Sequence, residues 1–182
     1  LLDYERHHQM QAFVRDLNFF YLKMRPLWEN DENWDGFQWI HPDDASHNVL
    51  SFLRWDRQGN GILVLCNFCP VCWQNYLVGL PRCGTYCLLL SSDEKEYGGL
   101  GFAEKRVRSQ IQKERGFEQS GYFCLPPLST LYYTVPKQTA PMQSSEKEKN
   151  CEISEKTLCS DVIGRRSGKS VACTDADHCK TG

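Results

Sequence analysis

"VLSFLRW" (49–55), "DRQGNG" (56–61) and "ILVLCNF" (62–68) decide the fold of this chain. Two runs rich in β-branched and aromatic residues flank a turn-rich stretch, the pattern of a β-hairpin. On the second run Ile62, Val64, Cys66 and Phe68 share one face, and Leu63 and Leu65 share the other with Asn67. Both faces are apolar, so this run is predicted to be a central strand covered on both sides.

Working outward, further short strands are expected in "NYLVG" (75–79), "TYCLLLS" (85–91), "GYFCL" (121–125) and "STLYYTV" (129–135). Pro81, Gly84, Gly98, Gly99, Gly101, Gly116, Pro126 and Pro127 punctuate them. Short strands at spacings of roughly 8 to 15 residues predict an antiparallel sandwich or barrel over 34–135.

Upstream, "DYERHHQMQAFVRDLNFFYLKMRPLW" (3–28) has helical periodicity. Met10, Phe13, Val14, Leu17, Phe20, Tyr21 and Met24 form one apolar stripe, Asp3 is placed to cap the start, and Pro26 ends the run. A stripe on a helix ~30 Å long must be covered, either by the strand domain or by a larger domain that this chain lacks. His7 and His8 near its start are expected to face solvent or cap. Downstream of Pro136 there are no aromatic residues and few large apolar ones. Such a segment cannot offset the entropy of ordering, so 136–182 is expected to be disordered.

"CNFCPVC" (66–72) raises the question of a metal, because iron–sulfur proteins hold clusters with runs of this kind. Sulfurs on a tetrahedral zinc lie only ~4 Å apart. An extended strand separates residues i and i+3 by ~10 Å, so Cys66 and Cys69 converge only across a sharp turn. The next cysteine, Cys83, breaks the ferredoxin spacing, and no metal site is expected. In the tail, "GRRSGKS" (164–170) falls one residue short of a phosphate-binding loop. Cys151, Cys159, Cys173, His178 and Cys179 match no compact zinc pairing. Ten cysteines without a secretion signal or regular spacing are read as mostly buried free thiols.

The carboxylates of "ENDEN" (29–33), "PDD" (42–44) and "SDEKE" (92–96) read as solvated loops, since proximity in sequence does not set a pair across a cleft. Trp28, Trp34, Trp39 and Trp55 are dense enough to suggest core, although exposed aromatics on a β-sandwich also stack on sugar rings. A net charge of −2 argues against nucleic acid or an anionic membrane as partner. No stretch approaches the ~20 apolar residues of a membrane span, and no leader is apparent. The chain is expected to be cytoplasmic, without a cofactor. It begins at Leu1 rather than at a methionine and is expected to be a piece of something longer.

"LLDYERHHQMQAFVRDLNFFYL" (1–22), "RPLWE" (25–29), "WDGFQWI" (34–40), "SFLR" (51–54), "VLCNFCPV" (64–71), "YLVGLPRCGTY" (76–86), "SDEKEYGGLG" (92–101) and "LPPLSTLYY" (125–133) resemble, in this order, the C-terminal end of bacterial 1,4-alpha-glucan branching enzymes of the alpha-amylase superfamily. The resemblance implies that residues 1–33 are the last helix of a catalytic (β/α)8 barrel plus a linker. It implies that 34–135 form the family's C-terminal all-β domain, an antiparallel β-sandwich. It further implies glycogen biosynthesis, cation binding at the level of the superfamily, and an alpha-glucan and the missing barrel as partners. Family members transfer a glucan segment to a 6-hydroxyl through a covalent glycosyl-enzyme intermediate, using three carboxylates. Those carboxylates belong upstream of residue 1, so no catalytic residue is assigned here and the chain alone is expected to be inactive. Cys69, Cys72, Trp73, Cys83 and Cys87 depart from the family pattern, and the tail beyond Val135 has no family counterpart.

Three functions compete on these grounds. The first is the C-terminal part of a branching enzyme, which supports the barrel and touches glucan. The isolated chain should then associate through Met10, Phe13, Leu17 and Phe20. The second is a free-standing carbohydrate-binding module, with Trp34, Trp39, Trp55 and Tyr97 as its candidate glucan contacts. The third, a cysteine metalloprotein, rests on the C-x2-C-x2-C run.

Overall fold

A computed structural model describes residues 3–137. The expected disorder of the tail, its phosphate-loop-like stretch and its Cys151, Cys159, Cys173, His178 and Cys179 lie outside the described residues.

The hairpin forms as the sequence predicts. Strands β2 (Val49–Trp55) and β3 (Gly61–Asn67) pair antiparallel, with Trp55 opposite Gly61 and Leu53 opposite Leu63. Asp56 closes the turn: its carboxylate accepts hydrogen bonds from the amides of Gln58 (2.9 Å) and Asn60 (2.8 Å) and from the Asn60 side chain (2.8 Å). Gly59 takes the positive φ of +76° that this turn requires.

Six strands form the main sheet, in the order β1 (Phe37–Asp44), β2, β3, β8 (Ser129–Thr134), β5 (Thr85–Ser91) and β6 (Arg106–Arg108). β4 (Trp73–Leu80) and β7 (Gln119–Leu125) pair as a second, two-stranded sheet. The expected strands therefore appear as β4, β5, β7 and β8, and the architecture is an antiparallel sandwich. Val49, Leu53, Leu63, Leu65, Leu131 and Tyr133 on the inner face of the large sheet meet Tyr76, Val78, Leu80, Phe123 and Leu125 of the small one. Burying each such side chain contributes roughly 1.5–3 kcal/mol.

β3 is central, as its two apolar faces predict. While Leu63 and Leu65 enter this core, Ile62 and Val64 point the other way and are covered by helix α1 (Glu5–Lys23). Phe20 is buried there, with Leu17, Met24 and Leu27 partly so, and its ring meets Tyr132 edge-on at 5.1 Å. Phe68 departs from expectation: the strand ends at Asn67, and Phe68 is exposed. The Asn67 Oδ1 accepts the Cys69 amide at 2.9 Å, which turns the chain out of the sheet at that point.

Asp3 does not cap the helix. Tyr4 occupies the N-cap position and gives no side-chain bond, whereas its carbonyl oxygen accepts the amides of His7 and His8. His7 and His8 are exposed. Pro26 falls in the short turn Arg25–Leu27 just past the helix end.

Two strands escaped the sequence pattern, and both are edges. β1 contains Pro42 and has register shifts on either side of His41, while β6 is only Arg-Val-Arg. Proline, bulges, shortness and charge are what keep an edge from pairing with another chain.

Candidate functional site

The four aromatic candidates fall into different environments. Trp34 belongs to a tight turn, Trp34–Gly36, that folds back on Asn30. A Cβ on Gly36 would come within 1.9 Å of the Asn30 carbonyl oxygen, and Asn33 Nδ2 donates to Asn30 Oδ1 at 3.0 Å. The side chain on this stiff platform is 93% exposed. Trp39, on the edge strand β1, is 48% exposed and leans on Phe37 (4.8 Å) and Phe52 (5.8 Å), both edge-on. Phe37 in turn stacks on Phe52 at 5.2 Å. The Arg54 guanidinium lies 5.8 Å from the Phe37 ring centre and pairs with Asp31.

Trp55 is half-covered. Its ring lies against Gly61, where a Cβ would come within 2.4 Å, and the Arg82 guanidinium sits 4.7 Å from its ring centre. Around it opens a polar cleft lined by Asn30, Asn33, Asp35, Asp56, Arg57 and Arg82. The turn carrying Trp34 is the rim of this cleft, since its neighbours Asn33 and Asp35 line it. Tyr97 is committed elsewhere: its hydroxyl donates to Asp16 Oδ2 at 3.0 Å, and its ring meets Phe13 at 5.2 Å. It docks the helix. Of the dense tryptophans, Trp28, Trp34 and Trp39 are exposed, and only Trp55, itself partly buried, packs against the core.

The reading of the carboxylate clusters as solvated loops needs correction in two places. Asp93 is buried and accepts the amides of Leu100 and Phe102, each at 2.9 Å, so that 93–102 wraps around it and presents Tyr97 to the helix. Asp44 lies in β1 and accepts the Tyr76 hydroxyl at 2.6 Å, the Ser46 hydroxyl at 2.7 Å and the His47 ring at 2.9 Å. His41 Nδ1 lies 3.0 Å from the same Tyr76 hydroxyl. Burial alone would raise the Asp44 pKa, but the bonds from Tyr76, His47 and Ser46 outweigh it and hold the carboxyl well below its ordinary range. Burial and the neighbouring Asp44 push Tyr76 far up. A carboxylate that stays charged beside a phenol that stays protonated is a fixed brace, not a proton-transfer pair.

Among the described residues, no group of three or more His, Cys, Asp or Glu side chains is placed to hold a metal ion. The C-x2-C-x2-C run does not gather its sulfurs. Cys66 meets the Thr130 hydroxyl at 3.7 Å, and Cys72 meets Cys124. Also among the described residues, no helix is long and apolar enough to cross a membrane.

Comparison with known proteins fits this architecture. The chain is 34% identical over 137 residues to the 1,4-alpha-glucan branching enzyme of Halothermothrix orenii, covering 73% of this chain and 21% of that enzyme. It is 38% identical over 136 residues to that of Francisella tularensis (74% and 21%), and 38% identical over 134 residues to that of Vibrio cholerae (73% and 18%). It thus spans about a fifth of the length of the curated relatives it matches. Residues 39–136 match the family described as "Alpha amylase, C-terminal all-beta domain", and they include all eight strands except the first two residues of β1. With that match over more than half its length, the chain belongs to the family of the alpha-amylase C-terminal all-β domain.

Proposed function

We propose that this chain is the C-terminal part of a 1,4-alpha-glucan branching enzyme, that it completes and steadies the catalytic barrel, and that it offers glucan a contact through Trp34 and Trp39. One observation carries the reading: helix α1 has apolar residues on more sides than the β-domain covers. Leu17, Phe20 and Met24 turn toward the sheet and Phe13 toward Tyr97, whereas Met10, Val14, Phe19, Tyr21 and Leu22 stay exposed. A helix that is apolar on both sides belongs between two bodies. The surface through which the isolated chain associates therefore differs from the stripe expected from the sequence. Met10 remains in it, Phe13, Leu17 and Phe20 leave it, and Val14, Phe19, Tyr21 and Leu22 join it.

The chemistry of the parent, segment transfer to make alpha-1,6 branches in glycogen in the cytoplasm, belongs to carboxylates on the barrel. Asp44, Asp56 and Asp93 are each spent on structure. The β-domain would supply binding alone. A flat ring on a stiff base loses little entropy when a glucose ring stacks on it, which is what Trp34 and Trp39 provide. Trp55 stands back in the cleft under Arg82, and Tyr97 is occupied by the helix.

A free-standing carbohydrate-binding module is the second reading, and the exposure of Trp34 and Trp39 favours it equally. It leaves the bare side of α1 without a purpose. Affinity electrophoresis in gels containing glycogen tests the glucan contact. The chain is expected to be retarded, Trp34→Ala and Trp39→Ala to run faster, and Tyr97→Phe to run as the wild type. Retardation unaffected by the tryptophan substitutions would refute the contact. Alongside it, a branching assay that follows the iodine–glucan spectrum is expected to show no change with the isolated chain, and a shift would overturn the division of labour.

A further inference from the structure

The third cysteine of "CNFCPVC" has a partner, although not within the run. Cys72 directly precedes β4 and Cys124 lies in β7, 52 residues on, and their sulfurs are 3.7 Å apart. Among the described cysteines this is the pair whose sulfurs meet. We propose that Cys72 and Cys124 are a reversible disulfide site that clasps β4 to β7 when the chain meets a small oxidising disulfide such as oxidised glutathione.

Two features of the surroundings prepare the bond. The first is a common anchor for both backbones. Asn67 Nδ2 lies within hydrogen-bond distance of the carbonyl oxygens of Val71 (2.9 Å), Leu125 (3.2 Å) and Pro126 (2.8 Å). Val71 adjoins Cys72 and Leu125 adjoins Cys124, so one buried amide fixes the segments that present the two sulfurs. Bonding them at ~2.05 Å then requires side-chain rotation over a short distance rather than a rearrangement of the sheets.

The second is access. Phe123 and Leu125 are in the core, so Cys124 between them faces outward, and both cysteines are only partly buried. An oxidant of modest size can reach them. Cys66, by contrast, is raised in pKa by burial and faces the helix side of the sheet among apolar neighbours.

The reaction balances as thiol–disulfide exchange. The Cys72 thiolate attacks one sulfur of oxidised glutathione, whose S–S bond breaks, and one glutathione leaves as thiolate. Cys124 then gives up its proton and attacks the Cys72 sulfur of the mixed disulfide. The second glutathione leaves. Two protein thiols lose two electrons and two protons, and one oxidised glutathione becomes two reduced glutathione molecules. Burial and the hydrogen-bonded Cys72 push the Cys124 thiol up to about 12, so Cys124 is not the first attacker.

The test equilibrates the purified chain with reduced and oxidised glutathione, maps its peptides by mass spectrometry and records thermal unfolding. A Cys72–Cys124 cross-linked peptide is expected, with a Tm on the order of 10 °C above that of the reduced chain. Cys72→Ser and Cys124→Ser should each unfold at the reduced Tm whatever the glutathione ratio. Separate glutathione adducts on the two cysteines, a link from either one to another cysteine, or a cross-link that leaves Tm unchanged would overturn the proposal. The mapping needs no variant, so it decides even if a serine variant folds poorly.

Discussion

Leu65→Ala is expected to destabilise the chain by about 3–4 kcal/mol and to lower Tm by on the order of 10 °C or more, as followed by denaturant or thermal unfolding. Leu65 is fully buried on β3, between Ser51 of β2 and Leu131 of β8, under the small sheet. Losing its branched side chain leaves a cavity that β3 cannot close, because β2, β8, the small sheet and α1 hold it from every side. The loss would be a large part of the stability of a domain this size. Leu100→Ala, on an exposed loop, should change stability by no more than ~0.5 kcal/mol. If Leu65→Ala cost no more than Leu100→Ala, β3 would not be the centre of the sheet.

Acid should weaken the fold in two stages. Burial and the nearby Arg115 push the His41 pKa below its ordinary value, so the fold favours the neutral ring. As pH falls through about 6.5 the unfolded chain takes up a proton that the folded chain refuses, and stability declines. Asp44 is the second stage. Its folded pKa is depressed, so its contribution is whole above the ordinary carboxylate value of about 4 and is lost as pH falls below it. In both windows the unfolded state binds more protons, so both slopes have the same sign. The Asp44 stage is on the order of 2 kcal/mol. Tyr76→Phe removes the 2.6 Å bond to Asp44, and the Tm of this variant should fall less steeply between pH 4 and pH 2 than that of the wild type. Parallel curves would mean that Tyr76 does not hold Asp44 down.

The middle of the fold was legible in the sequence because there pattern and environment coincide. β3 has apolar residues on both faces since the small sheet lies on one side and a helix on the other. β1 and β6 were not legible, because an edge strand is made of the residues that look least like a strand: Pro42, Asp43 and Asp44 in one, Arg106 and Arg108 in the other. The carboxylates misled for a related reason. Nothing within "SDEKE" tells that Asp93 will bind amides seven and nine residues on.

The candidate site was legible in kind and not in detail. The sequence singled out aromatic residues, but exposure depends on distant partners. Trp55 is covered by Arg82, and Tyr97 is engaged by Asp16, 81 residues away. The helix stripe likewise gave no sign of which half would meet the sheet. The Cys72–Cys124 contact was hidden by its neighbours, since three cysteines in a row suggest one another as partners.

The claim that α1 lies between two bodies is tested most directly by sedimentation of the purified chain at micromolar concentration, beside the variant Met10→Glu, Val14→Glu, Phe19→Glu, Tyr21→Glu, Leu22→Glu. The wild type is expected to self-associate through the bare side of the helix. The variant is expected to be monomeric with an unchanged Tm, because none of the five side chains is buried against the β-domain. A monomeric wild type, or a variant that associates as strongly as the wild type, would contradict the account.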